Sequence, residues 1–576
     1  MSQAEGPVRT RTVVDPLARQ LWRAARVCWG IGLPRYLATG RPVRLALGAL
    51  REGFKTRSIY ALHAICHPHR VALVDARRSV TYAEVSAESN GLANALLARH
   101  QVAAGVPVVL MLENCAEYVS AWFGLARLGA QAVHAGYRQT PAELHFLVSH
   151  SGARVVITSE QTYPVAAAVA RDHPDLGLAI VVVTERESAF PGAASFAQLV
   201  ASGSPRLSVS RGGRRASENV VYTSGTTGRP KGAVRDWAMY GLRELFRMLE
   251  RVPFQMGERH LVVSPLYHSG GQVFIVLQAT LASTIYLRPH FDPEDTLRTL
   301  SSAHVHSVFM VPTMVHRVTS LPDALFTENP LPDLRAMVSG AGEFPPLLRE
   351  RAAARFGPRN VFDFYGATEL GWVTLIRGDE MARKKASVGR PLSGQQVRIL
   401  DEHGKEVPRG EVGRVYVRNE QTMNGYLRDS TATRAGQCQG WTTVEDLGYV
   451  DDEGYLFLVG RARDMVKSGG VNLYPAEIEE VLSRHPAVRE VAVVGVPDPE
   501  WGEKLVAVVV PSGSGFEPAD VEAFARPHLS GVKIPRRWEL VEELPRNATG
   551  KVLKAELRQR YGTAAGPGDG GASTAL

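Results

Sequence analysis

The chain has 576 residues, 45% apolar and 22% charged. That composition excludes a disordered or fibrous protein, and the length exceeds one hydrophobic core, so several units are expected. A formal net charge of +8 is mild at this length, and the four cysteines, Cys28, Cys66, Cys115 and Cys438, have no CxxC spacing, which argues against a disulfide framework and for a reducing compartment.

In chain order, residues 1–60 form a basic amphipathic extension. Eleven Lys and Arg residues before Ser58 face only Glu5, Asp15 and Glu52, and between them lie Trp22, Val27, Trp29, Leu33 and Phe54. Two readings stand: the segment lies on an anionic inner-membrane surface, or it packs as a helical extension on the protein itself. Nucleic acid is disfavoured, because no basic fold module follows. The opening MSQAEGPVRTRTVVDP lacks the apolar run of a signal peptide, and no window of about 20 apolar residues calls for a spanning helix; the expected location is the cytoplasm. Cys66-His67-Pro68-His69 resembles metal ligands, but Pro68 and crowding argue against one ion using all three side chains.

From residue 61 the pattern alternates. Strands are expected at 71–74, 80–82, 108–111, 132–134 and 155–158, with helices at 83–99, 116–128 and 141–150. The alternation resumes near 219, with strands at 261–264, 284–286, 307–311 and 336–339. This argues for mostly parallel sheets covered by helices. From about 396 the texture becomes β-rich, with turns such as Glu402-His403-Gly404. A final α+β unit over 465–561 combines helices at 475–484 and 519–528 with strands at 488–494, 505–510 and 538–540. The Gly/Ala/Ser-rich residues 562–576 are expected to be disordered. The expected architecture is α/β: a large N-terminal domain over 61–460 with two α/β sheet subdomains and a small β-rich one, a hinge at 461–464, and a smaller mobile domain over 465–561.

Within this frame, Thr223-Ser224-Gly225-Thr226-Thr227-Gly228-Arg229-Pro230-Lys231-Gly232 invites a polyanion. Glycines let successive N–H groups turn inward, Ser224, Thr226 and Thr227 add donors, and Lys231 adds charge. The P-loop pattern fails, because Pro230 and Gly232 stand where it needs glycine and a hydroxyl. The strand-like stretch before the loop suggests a cradle held on a sheet edge.

The segment resembles the signature of the adenylate-forming enzymes, the superfamily of acyl-CoA synthetases, firefly luciferase and peptide-synthetase adenylation domains. Five further signatures follow in order: Gly340-Ala341-Gly342, Asp363-Phe364-Tyr365-Gly366-Ala367-Thr368-Glu369, the segment ending in Asp446, the hinge Gly460-Arg461-Ala462-Arg463-Asp464, and Asn547-Ala548-Thr549-Gly550-Lys551. Two places depart from the pattern: Val444-Glu445-Asp446 stands where it more often reads Thr-Gly-Asp, and Arg463 occupies a hinge place that commonly holds Asp or Lys. The resemblance implies ATP, Mg2+ and coenzyme A. Lys551 would reach the carboxylate and α-phosphate, Thr368 the α-phosphate, and Glu369 the magnesium. Residues 223–231 would hold the β- and γ-phosphates. Tyr365 and Gly340-Ala341-Gly342 would flank adenine, with Phe364 and Gly366 beside them and Asp363 at its amino group; Asp446 and Arg461 would take the ribose. Lys467, Ser468, Gly469 and Gly470 would line a pantetheine channel after the C-terminal domain rotates about Arg463.

The acyl pocket is expected around Tyr267, His268, Gly271, Val311, Met314, Gly340 and Ala367. His268 either orients the acid or is structural. No carboxylate or lysine is evident to pair with an amino acid's charged ends, and an unpaired buried ammonium costs several kcal/mol. A medium- or long-chain fatty acid is therefore favoured. Transfer to CoA is the leading reading, transfer to a carrier protein the second, and a non-catalytic nucleotide-binding relative the third, which intact Lys551, Glu369 and Thr368 oppose.

Overall fold

The computed structural model describes residues 17–37, 43–44, 46, 56–186, 189–206, 218–223, 230–236, 247–469, 471–546 and 552–562. The expectations for Ser224, Gly225, Thr226, Thr227, Gly228, Gly470, Lys551 and the tail after 562 lie outside these residues.

Three sheets organise the chain. The first has eight strands in the order Gly425–Tyr426, Lys231–Asp236, Glu218–Thr223, Gln131–His134, Pro107–Met111, Val155–Ser159, Ala179–Val183 and Ala193–Ser195. The six from Glu218–Thr223 onward are parallel. Their continuous apolar runs fit burial on both faces. Threonines start two of the neighbouring helices: Thr81 caps Tyr82–His100 and Thr140 caps Pro141–Ser151, each in a reciprocal box with a glutamate three residues on, worth about 1 kcal/mol per cap.

The second sheet has fifteen strands. It starts with the antiparallel pair Val71–Val74 and Ser79–Thr81 and continues through parallel Thr284–Leu287, Arg259–Val262, Ser307–Phe309, Ala336–Gly340 and Val361–Ala367. Gly371–Arg377 and Ser387–Pro391 then turn it antiparallel. Pairing of Ser387–Pro391 with Leu456–Arg461 carries the ladder into the β-rich stretch, so that stretch continues the sheet.

The third sheet holds Val471–Leu473, Val466–Ser468, Gly502–Pro511, Val488–Asp498 and Arg537–Leu540. Alternation along Gly502–Pro511 builds two cores. Leu505, Ala507 and Val509 pack with helices Pro475–Leu482 and Pro518–Ala525, and Val506, Val508 and Val510 pack with Leu557 and Tyr561 of helix Lys554–Gly562. Residues 462–465 link the second sheet to the third.

Helix Leu17–Gly30 docks through Val27, followed by Ile31, both buried, and the Ile31 carbonyl accepts from the Met256 N–H at 2.9 Å. Trp22 and Trp29 are 62% and 77% exposed. Seven residues apart, they share a stripe with Arg26 on the side away from Val27. No described helix is long and apolar enough to cross a membrane.

Candidate active site

The strand Glu218–Thr223 delivers the chain to the glycine-rich segment. It lies inside its sheet, between Gln131–His134 and Lys231–Asp236, so the cradle springs from the end of an interior strand and not from a sheet edge. A buried polar network fixes its base. Trp122 Nε1 donates to Asn219 Oδ1 at 2.7 Å, and His134 Nε2 lies 3.2 Å from the same oxygen. The indole only donates, so that atom is the amide oxygen and His134 Nε2 carries a proton. His134 Nδ1 then accepts from the Tyr118 hydroxyl at 2.7 Å. Burial pulls the His134 imidazole down to about 4 and keeps it neutral.

Beyond this base opens a cleft of about 1510 Å3 lined by residues of all three sheets and the loops between them, including Thr223, Lys231, Thr368 and Glu369. The Thr223 hydroxyl donates to Glu369 Oε1 at 3.3 Å, and the Tyr426 hydroxyl donates to the same oxygen at 3.0 Å. Burial and this carboxylate raise the Tyr426 phenol, which keeps it a donor. Glu369 Oε2 has no hydrogen-bond donor among the described residues, and no cluster of three or more metal-ligating groups occurs among them. A single carboxylate beside a phosphate cradle suits magnesium, which keeps most of its shell for phosphate and water. Lys231 lies over the Tyr426 ring at 5.3 Å, and Thr368 and Ser269 share a hydrogen bond at 2.9 Å. Tyr426 escaped the sequence reading; its partner Glu369 lies 57 residues away in the chain.

Beside the cleft, where Arg461 lines it, Asp446 receives the Tyr365 hydroxyl at 2.7 Å and Arg461 Nε at 3.1 Å; Tyr365, Asp446, Asp363 and Gly340 are not among the lining residues. Tyr365 packs with Leu370, Val373 and Ile399. Asp363 is buried and takes Arg349 at 3.0 Å, so its carboxylate is already engaged. Gly340 is required sterically, since a Cβ there would meet Phe364 Cε1 at 2.6 Å. Between Gly340 and Gly342 it is Ala341, not a glycine, that adopts the left-handed backbone, with φ +64°. Glu445 does the same at φ +66°. That value explains why the pattern favours glycine at the place of Glu445; a side chain there costs about 1–2 kcal/mol.

On the acyl side, His268 faces the cleft, and its buried Nε2 has no hydrogen-bond partner. Burial holds the imidazole at about 4, so it is neutral. Tyr267, Gly271, Val311, Met314, Phe364, Gly366 and Ala367 line the same cleft. Phe309 and Trp372 add to the lining. With Phe274 and Phe364 they form an aromatic group whose neighbouring centroids lie 4.8–6.2 Å apart.

The domain built on the third sheet contributes Arg484 and His485 from the turn after helix Pro475–Leu482, Arg489 from strand Val488–Asp498, and Arg546 to the cleft. Arg546 bridges to Val552, so the ends of the segment carrying Lys551 meet beside the cleft wall. Arg463 also lines the cleft. Lys467, Ser468 and Gly469 do not; Gly469, at φ +57°, donates its N–H to the Trp501 carbonyl at 2.9 Å.

Comparison with known proteins agrees with this geometry. Residues 62–427 match the AMP-binding enzymes and residues 477–551 their C-terminal domain. The long-chain-fatty-acid–CoA ligase FadD13 of Mycobacterium tuberculosis is 32% identical over 484 residues, 84% of this chain and 93% of that protein. The feruloyl-CoA synthase of an Amycolatopsis species is 33% identical over 500 residues, 86% and 96% of the two chains. ATP-bound MatB of Rhodopseudomonas palustris superposes with a TM-score of 0.79 at 28% identity, over 88% of this chain and 99% of that one. The chain belongs to the AMP-binding enzyme family: it is an AMP-forming acid–thiol ligase that acts on a small carboxylic acid with ATP, magnesium and coenzyme A.

Proposed function

We propose that this acyl-CoA synthetase activates a medium- or long-chain fatty acid. The observation that carries the reading is His268. Its neutral imidazole, with an unpartnered Nε2, lines the same cleft as Thr368 and Glu369 and as the apolar Val311, Met314, Phe309 and Trp372. A carboxylate head meets a donor there while its tail meets apolar surface.

The first step joins two anions. The carboxylate is already ionised at neutral pH, so no general base is needed, and catalysis consists of charge neutralisation and positioning. Residues 223–231 hold the β- and γ-phosphates. Glu369, oriented by Thr223 and Tyr426, would hold magnesium, which would offset phosphate charge. Thr368 hydrogen-bonds the α-phosphate, Asp446 takes the ribose hydroxyls, and Tyr365 fixes Asp446 beside the adenine. Lys551 draws the carboxylate and α-phosphate together. Pyrophosphate leaves as the carboxylate oxygen bonds the α-phosphorus; after the third-sheet domain turns about Arg463 and brings Lys467, Ser468 and Gly469 to the cleft, the CoA sulfur bonds the acyl carbon and AMP leaves, the thiol proton passing to solvent.

The exposed Trp22–Arg26–Trp29 stripe extends the reading to a peripheral contact with an anionic membrane, from which an apolar acid is delivered. The test is a panel of acids, from short to long chains and including aromatic ones, with pyrophosphate and CoA thioester recorded separately. Long-chain acids are expected to give the highest kcat/KM. A preference for aromatic acids overturns the substrate assignment, and pyrophosphate without thioester moves the acceptor to a carrier protein. Binding to anionic vesicles is expected to fall in the Trp22→Ala, Trp29→Ala double variant; unchanged binding removes the membrane contact.

A further inference from the structure

The turn after strand Gln131–His134 carries polar side chains to the cleft beside Tyr267 and His268. The Gln139 N–H donates to the Gly136 carbonyl at 3.2 Å, and Thr140 then caps the next helix. Gly136, Tyr137, Arg138 and Gln139 all line the cleft. The turn sits against Tyr267. The Tyr137 and Tyr267 rings meet edge to face with centroids 5.7 Å apart, and a Cβ on Gly136 would lie 3.4 Å from Tyr267 Cε2 and 3.7 Å from Gln139 Cγ. Tyr267 also packs on His268, with 4.1 Å between ring centroids. The Tyr267 ring thus links the Gln139 turn to the imidazole.

Gln139 Oε1 is buried and has no hydrogen-bond partner among the described residues. A buried polar atom left unpaired costs about 1–3 kcal/mol, and a ligand in the cleft is placed to supply the partner. An amide presents an acceptor at one atom and donors at the other, and what it meets sets which way it points. A hydroxyl both donates and accepts, so it satisfies either orientation. A protonated amine fits less well, because the Arg138 guanidinium stands over the Tyr137 ring, 5.5 Å from its centre, and repels a second cation. A plain alkyl chain leaves the amide unpaired.

We propose that Gln139 is a specificity-determining residue and that the acid carries a hydroxyl on its chain, within reach of the Gln139 amide. The inference rests on the assignment of His268 to the carboxylate head, and it narrows the fatty acid to a hydroxylated one. With the head at His268 and the Tyr267 ring between, the hydroxyl sits a few carbons along the chain. The remainder of the chain meets the apolar lining.

The test is kcat/KM for thioester formation with a saturated medium-chain acid and its hydroxylated positional isomers. One isomer is expected to exceed the plain acid about five- to tenfold, the scale of one hydrogen bond to a buried neutral group. Gln139→Met keeps the volume without polar atoms and should bring that ratio back toward unity. Gln139→Glu keeps an acceptor and should retain a preference, which a merely structural residue would not produce. No favoured isomer in the wild type, or a ratio that survives Gln139→Met, overturns the inference. So does a rise in the KM for CoA with the hydroxyl preference intact, which assigns the side chain to the amides of the pantetheine arm. If aromatic acids alone react, the fatty-acid reading fails, and the same ratio on hydroxylated and plain aromatic acids still decides the role of Gln139. If no acid turns over, calorimetric titration of the same pairs decides it.

Discussion

The two walls of the cleft are built differently. The wall from the first two sheets is held by buried, hydrogen-bonded groups: Trp122, Asn219, His134 and Tyr118 behind the strand Glu218–Thr223, and Arg349 with Asp363, whose side chains are 6% and 4% exposed. The wall from the third sheet presents charges on its surface. Arg484 is 51% exposed in its pair with Glu480, and Arg546 is 34% exposed in its pair with Glu490. Buried networks fix geometry, because breaking one leaves polar atoms without water or partner; exposed pairs contribute little and exchange readily. One wall is therefore rigidly built, and the other is tied by contacts that are easily exchanged.

The strongest test of this contrast is Lys551→Ala. It should lower adenylation about 10²–10³-fold, the cost of losing one preorganised charge contact, and spare thioester formation from supplied acyl-adenylate. Equal loss of both steps would break the division of labour. Next, Asn219→Ala should cost about 2–4 kcal/mol in urea melts, since it strands the Trp122 indole and the His134 N–H in the core.

Acid should act on the same wall. Burial holds His134 at about 4 and His260 at about 3, both below their ordinary value. The folded state keeps them neutral while the unfolded chain protonates near pH 6.5. Their contribution is complete above about pH 6.5 and is lost as pH falls toward 4, at up to about 1.4 kcal/mol per pH unit for each. Melts at stepped pH should show that slope, and His134→Gln should reduce it. At the small end, Arg484→Ala on the opposite wall should change stability by under about 0.5 kcal/mol. A cost comparable to that of Asn219→Ala would erase the distinction.

Much of this was legible in the sequence because period and composition report local burial. The expected strand at 108–111 is Pro107–Met111, and the expected helix at 83–99 is Tyr82–His100. Less legible were elements set by partners. Strand 488–494 extends to Asp498 because Gly502–Pro511 pairs along its whole length through polar residues. No strand is expected over residues 361–367, yet they pair with Gly371–Arg377. Individual candidate residues were named by pattern. Their supports, Tyr426 for Glu369 and Arg349 for Asp363, lie 57 and 14 residues away, and no local signal joins them. The left-handed turns at Ala341 and Glu445 were invisible, since neither residue type announces positive φ.

The short strand Gly425–Tyr426 closes the first sheet against Lys231–Asp236, with Gly425 opposite Val234 and Tyr426 opposite Ala233. Nearly two hundred residues separate these neighbours in the chain. During translation, the segment through Asp236 leaves the ribosome long before Tyr426 can cover Lys231 and orient Glu369. A nascent chain halted before residue 425 should leave the outer edge of Lys231–Asp236 unpaired and lack the Tyr426 donor to Glu369, so the first sheet is completed late in biosynthesis.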